Sequence, residues 1–184
     1  TYIFVAQAFA MVLLGERIGL GVALGSILAI AGVWLVASEA QQGGSNEFRG
    51  VLTAIVSSFA WGVSSVINRL TLVYTDPLSL SAMRAAIQGA VLSTLDVKNL
   101  RDMVSSKRVI VTACVTGILT YGVGATLFLY ALNVLGVGMT VLPTALTPVL
   151  SAVFSRIIAR EAFGLKTVVG VLCTASGIVL ALQL

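Results

Sequence analysis

Histidine is absent from this 184-residue chain. That removes imidazole as a general acid or base, Ser-His and Cys-His nucleophile pairs, and histidine-ligated metal. Charge is scarce as well: 11 basic and 7 acidic residues make up 10% of the chain, where ordinary soluble domains carry about 25%. With 58% hydrophobic residues and a mean hydropathy of +1.06, there is too little polar surface to cover a water-soluble core. The composition describes an integral membrane protein. Three prolines beside 18 glycines exclude collagen-like and proline-rich disordered chains. Cys114 and Cys173 lie in apolar runs without a CxxC partner and read as small apolar packing residues. No catalytic residue, metal site or cofactor is expected, and enzymatic activity is not.

The net charge of +4 would invite nucleic acid in a soluble protein. Here the basic residues stand singly or in small groups between apolar runs, so they report topology and no nucleic-acid partner is expected. The partner implied by this composition is the lipid bilayer; a small-molecule substrate needs more than composition to support it. The chain opens at Thr1 with no basic region ahead of its first apolar stretch, and is expected to start mid-protein.

Charges punctuate what remains. Arg17 and Glu39 enclose 21 uncharged residues, Arg49 and Arg69 enclose 19, and 18 more follow Lys166. The 47 uncharged residues from Val109 to Ser155 are too many for one span and divide at the Asn133–Gly138 turn. A helix crosses hydrocarbon with about 20 apolar residues. Spans are therefore expected at 1–14, 19–38, 50–68, 77–95, 109–132, 138–158 and 166–184. The fold class is all-α and polytopic, with seven transmembrane helices. Residues 39–49 are the most polar linker, Asp76-Pro77 ends one helix and starts the next, and 96–108 form a charged loop.

Sliding the chain by 145 places Phe9 on Phe154, Glu16 on Glu161, Gly19-Leu20 on Gly164-Leu165, Gly25 on Gly170, Gly32 on Gly177 and Leu35 on Leu180. That is seven identities in 38 ungapped positions. The copies lie five segments apart, so matching helices cross in opposite directions. This is an inverted repeat, a build used by secondary transporters. Residues 1–38 would be the last two helices of a first repeat and 50–184 a complete second repeat of five. The parent protein is then expected to hold ten helices in a 5+5 arrangement, three of them ahead of Thr1.

The ends of both repeats, Leu14-Gly15-Glu16-Arg17 through Gly32 and Arg160-Glu161 through Gly177, resemble the closing helix pair of EamA-type transporters of the drug/metabolite transporter superfamily. Phe59-Ala60-Trp61-Gly62-Val63-Ser64 is similar to that repeat's first helix, and Asp76-Pro77-Leu78 with Met83-Arg84 to its second. Tyr130-Ala131-Leu132, Leu135-Gly136 and Thr147-Pro148-Val149 resemble the third-to-fourth junction. Departures are Ile3 at the place matching Pro148, and Ala159-Arg160-Glu161 in place of Leu-Gly-Glu. The resemblance implies a secondary-type carrier in the plasma membrane that moves small organic metabolites by alternating access. A membrane-embedded scaffold without transport is the alternative.

Polar residues fall on helical stripes: Thr53, Ser57, Trp61, Ser64 and Asn68; Pro77, Ser81, Arg84 and Gln88; and Thr140, Thr144, Thr147, Ser151 and Ser155. Lipid leaves such groups unsatisfied, so these faces are expected inward, although hydroxyls also bond their own helix. Arg84 is the one charge well inside a span, costly there unless it faces protein or water. The candidate substrate-cavity residues are Trp61, Asn68, Arg84, Gln88, Tyr130 and Thr147. Gly25, Gly32, Gly170 and Gly177 form small-residue faces for close packing, toward the other repeat or toward a second copy in a homodimer. Glu16 and Glu161 read as solvated charges at helix turns, and Pro143 and Pro148 as a kink or as freed carbonyls. The basic loops after the second, fourth and sixth segments place those loops in the cytoplasm by the positive-inside rule. The usual orientation of the family, with a cytoplasmic C-terminus, places them outside.

Overall fold

The computed structural model describes residues 2–40, 47–95, 106–159 and 164–183. Lys98, Arg101, Arg160, Glu161 and the middle of the polar linker lie outside the described residues. A backbone in hydrocarbon has no water to bond, so long apolar runs close their hydrogen bonds within a helix. The helices are α1 (Tyr2–Leu14), α2 (Leu20–Ala40), α3 (Glu47–Thr71), α4 (Pro77–Leu95), α5 (Lys107–Gly117), α6 (Ala125–Val141), α7 (Leu146–Ala159) and α8 (Leu165–Gln183). A π-helical stretch, Ile118–Gly124, joins α5 to α6, and a 3-10 turn, Leu142–Ala145, joins α6 to α7. No strand occurs among the described residues.

The helix ends follow local chemistry. Gly15, at φ +66°, takes the left-handed conformation that closes α1. Pro143 opens the 3-10 turn, where its missing N–H costs nothing. Gly136, at φ 77° and ψ 179°, interrupts α6 at the expected division of the long uncharged run. Several boundaries differ from expectation: the expected 109–132 helix is divided among α5, the π-helical stretch and the start of α6, and α7 starts at Leu146 where a helix is expected from 138, because the 3-10 turn around Pro143 intervenes. α3 starts at Glu47, because the charged residues of the linker's end are accommodated in a first helical turn; and α2 continues to Ala40. Among the described residues, three helical runs are long and apolar enough to cross a membrane: Leu20–Glu39, Lys107–Ile158 and Leu165–Gln183. α1 is a shorter apolar helix, and α3 and α4 carry Asn68, Arg69, Arg84 and Gln88 among their apolar residues.

Two compact units can be described, residues 1–67 with 135–184, and residues 68–134. In the first, α2 and α8 make by far the largest helix–helix contact. They run antiparallel with their backbones touching. A Cβ on Gly32 would lie 2.5 Å from the Gly170 carbonyl oxygen, and one on Gly177 would lie 2.5 Å from that of Gly25. The contact is self-complementary under the internal repeat: the pair Gly25–Gly177 maps onto Gly170–Gly32. At its middle, the Thr174 hydroxyl donates to the Gly170 carbonyl of its own helix at 2.9 Å and also lies 3.4 Å from the carbonyl of Ala29, its repeat mate. Small residues bring the axes close enough for main-chain contact, the packing that substitutes for a hydrophobic driving force in lipid.

In the second unit, Leu72, Leu80, Leu129 and Leu132 are buried, while α5 and most of α4 beyond Arg84 are exposed. Ser81 Oγ donates to the Tyr121 carbonyl at 3.2 Å, using an oxygen in the π-helical stretch. Asp76 caps α4 by accepting the N–H groups of Leu78 and Ser79 at 3.0 and 2.9 Å. The Ser79 side chain, and then its N–H, hold the Asp76 carboxyl below the usual carboxylate range. Because the folded pKa lies below the unfolded one, this contribution is complete above the unfolded value near pH ~4 and is lost as pH falls through the lower folded value. Acid titration of the chain's helicity should therefore show a loss that Asp76→Asn, which caps without titrating, removes; identical acid profiles would contradict the cap's role.

Candidate functional site

In the first unit, α1 brings a buried amide to two neighbours. Gln7 Nε2 donates to Ser26 Oγ on α2 at 2.7 Å and to the Gly138 carbonyl at 3.3 Å. Ser26 in turn donates to the Val22 carbonyl at 2.7 Å. At the start of α1, the Tyr2 hydroxyl meets that of Thr144, which also bonds the Val141 carbonyl. Beyond α1's other end, the Glu16 carboxylate accepts the Val137 N–H with both oxygens at 3.0 Å and the Gly138 N–H at 3.1 Å. These are first-turn donors of the helix that resumes after Gly136, groups that have no partner of their own, and an anion there also meets the positive end of the helix dipole. Glu16 is thus half-buried and engaged. This corrects the reading of it as a solvated loop charge: its partner lies 121 positions away.

A second carboxylate does the same at the other end of α2. Glu39 accepts the N–H and the hydroxyl of Thr167, both at 2.6 Å, and pairs with Arg156 of α7 at 3.7 Å. Arg156 donates to the same Thr167 hydroxyl. A Cβ on Gly164 would occupy the place of the Glu39 carboxylate, so a glycine at the start of α8 makes this cap possible.

The expected cavity residues divide between the units. In the first, Trp61 is 61% exposed and Thr147 is exposed. Trp61 sits beside Gly62, whose absent side chain lets α3 lie on Val5 and Ala6 of α1; Phe59 stacks edge-on against Phe9. In this unit the polar stripes are not simply packed inward. Thr53, Ser57 and Trp61 are exposed while the adjacent Ser65 and Val66 are buried, and Thr140 is buried while Thr147, Ser151 and Ser155 are exposed. Periodicity says which residues share a face, and the close contact at Gly62 decides which face packs.

In the second unit, Asn68 is buried, Arg84 is half-buried, and Gln88 and Tyr130 are exposed. Arg84 makes no ion pair or hydrogen bond among the described residues. Gln88 lines a groove of about 650 Å³ between α4 and the π-helical stretch, with Ile87, Val91 and Tyr121. Asn68, Arg84 and Tyr130 are not among the groove's lining residues. The groove borders on Gly89 and Gly117, each with open space where a Cβ would stand. Gly25, Gly32, Gly170 and Gly177 all lie in the α2–α8 contact. Among the described residues, no three His, Cys, Asp or Glu gather as a metal would require.

Gln7, Glu16 and Glu39 carry no signal in a hydropathy reading beyond being polar, since each finds its partner on another element. The π-helical stretch has a faint one, the glycines at 117, 122 and 124 that relax the helix there. Comparison with protein families matches residues 48–183 to the EamA-like transporter family. No curated protein and no solved structure matches the chain.

Proposed function

Since the chain belongs to the EamA-like transporter family, and is a membrane transporter of the drug/metabolite superfamily by that membership, we propose that it moves small organic metabolites by alternating access. The seven spans are read as part of a 5+5 inverted repeat in the plasma membrane. The antiparallel, self-complementary α2–α8 contact supports that reading. The residues proposed to meet substrate are Trp61 and Thr147 in the first unit, and Asn68, Arg84, Gln88 and Tyr130 in the second.

The observation that carries the proposal is Arg84: a half-buried guanidinium in α4, a helix we read as a span, without an ion-pair partner among the described residues. A cation at membrane depth is costly unless water or an opposite charge meets it. A substrate carrying a carboxylate or phosphate would supply that charge as a two-pronged acceptor. The scaffold alternative has less support, because the glycine faces it would use are occupied by each other. For the same reason a homodimer would need a different surface.

Arg84→Ala is expected to abolish flux of anionic metabolites in proteoliposomes while expression and membrane insertion stay intact. Arg84→Lys, which keeps the charge and loses the planar fork, should retain part of it. Undiminished flux in Arg84→Ala would overturn the assignment of Arg84. Absence of flux in the parent chain, across carboxylate- and phosphate-bearing probes, would favour the scaffold.

A further inference from the structure

We propose that Glu16 is a positioning residue for transport, acting as a latch that sets where the Thr140–Thr144–Thr147 face begins. The inference rests on the transport reading, in which Thr147 meets substrate. The observations are independent of it. α6 stops at Gly136, whose φ of 77° and ψ of 179° is open essentially to glycine alone. The helix that resumes is held from both sides of this residue. The N–H groups of Val137 and Gly138 point at the Glu16 carboxylate, and the Gly136 carbonyl accepts the Thr140 hydroxyl at 2.6 Å. Gln7 Nε2 donates to the Gly138 carbonyl at 3.3 Å, a further tie at the same turn.

The consequence reaches the polar face in short steps. Thr140 is tied to Gly136, Thr144 to Val141, and the Tyr2 hydroxyl of α1 to Thr144. Thr147 follows after one more turn, where the face becomes exposed. The helix beginning at Val137 continues through the 3-10 turn Leu142–Ala145 into α7, so its start bears on the height and rotation of each hydroxyl; fraying or sliding there displaces them in sequence. Glu16 comes from the α1–α2 turn, so it also ties the height of this face to the turn that precedes the α2–α8 pair. Gly136 leaves room for the latch, since a Cβ there would lie 2.9 Å from Glu16 Oε1. A carboxylate suits the task better than an amide. Both oxygens accept the Val137 N–H, whereas glutamine would turn one of its own N–H groups toward that donor or give up half of the contact.

Two measurements on the full chain in lipid nanodiscs test this. The first is amide exchange at Val137 and Gly138. The second is the rate at which Thr147→Cys, with Cys114→Ser and Cys173→Ala, reacts with a charged, membrane-impermeant thiosulfonate. Glu16→Ala should raise exchange at the two amides by about tenfold, the loss of a typical helix cap, and raise the labelling rate at position 147 several-fold. Glu16→Gln should fall between, and because it keeps the side chain's shape it guards against a general folding defect. Unchanged exchange would show that the latch is not formed and overturn the proposal. Raised exchange with unchanged labelling would reduce Glu16 to a structural cap and likewise overturn it. Failure of Thr147→Cys to label with Glu16 intact would instead overturn the transport reading of Thr147.

Discussion

Gly32→Ala is expected to part α2 from α8. The added methyl would stand 2.5 Å from the Gly170 carbonyl oxygen and 2.7 Å from the Thr174 nitrogen. Backbone cannot step aside as a side-chain end can, so the axes must separate along the whole contact. Overpacking typically costs about 1–3 kcal/mol, and a collision with main chain belongs at or above the upper end of that range. Gly177→Ala, against the Gly25 carbonyl and the Ala29 nitrogen, should behave alike. The two should not add, because helices already parted by one methyl have room for the second. Gly89→Ala is the control. It sits in α4 with nothing within 4 Å of the new Cβ, and alanine's helix preference of up to about 1 kcal/mol should make it neutral or stabilising. Denaturation by sodium dodecyl sulfate in mixed micelles would rank the three. An effect of Gly32→Ala as small as that of Gly89→Ala would mean that α2 and α8 do not pack through these glycines.

Gly136→Ala should be comparably damaging for a different reason. Alanine at φ 77° and ψ 179° stores about 1–3 kcal/mol of backbone strain. Its Cβ also presses on Glu16, and if the carboxylate withdraws, two amide donors lose their acceptor at about 1–3 kcal/mol for a group left unsatisfied. Gly15→Ala separates the two causes. Gly15 has φ +66° but open space around its would-be Cβ, so it bears the conformational cost alone. The same denaturation series should show Gly136→Ala losing clearly more stability than Gly15→Ala. Equal losses would leave the Glu16 contact without energetic weight.

These residues also show where sequence reasoning reaches and where it stops. Scarce charge and the Gly/Pro punctuation locate α2, α4 and α8 to within a residue or two, because what starts and ends these helices is local: Asp76-Pro77, Gly15, Gly164. α7 starts eight residues later than expected, because the run from 138 is broken by the 3-10 turn around Pro143. Small residues at helical spacing have few uses in lipid apart from close approach, but spacing left open whether these glycines face the other repeat or a second copy, which is a matter of tertiary placement. The partners of Gln7, Glu16 and Glu39 were not legible. The bonds of Gln7 to Gly138, Glu16 to Val137 and Glu39 to Thr167 join residues more than 100 positions apart, and no periodicity within one helix encodes the identity of a neighbour brought there by the rest of the fold. The exposed stripe on α3 makes the same point: spacing grouped Thr53, Ser57 and Trp61 on one face, but the contact of Gly62 with α1 gave the packed side to Ser65 and Val66.

The α2–α8 pair has a further consequence in time. Its central contact links residues 145 positions apart, so α2 leaves the ribosome long before its mate exists. At translation rates of roughly 5–20 residues per second, the interval is on the order of 10–30 s. For that period the most extensive helix–helix contact among the described residues is an unclosed groove of small residues beside the insertion machinery. Closure of this contact therefore waits for α8, and damage within α8 should be felt first as failed maturation.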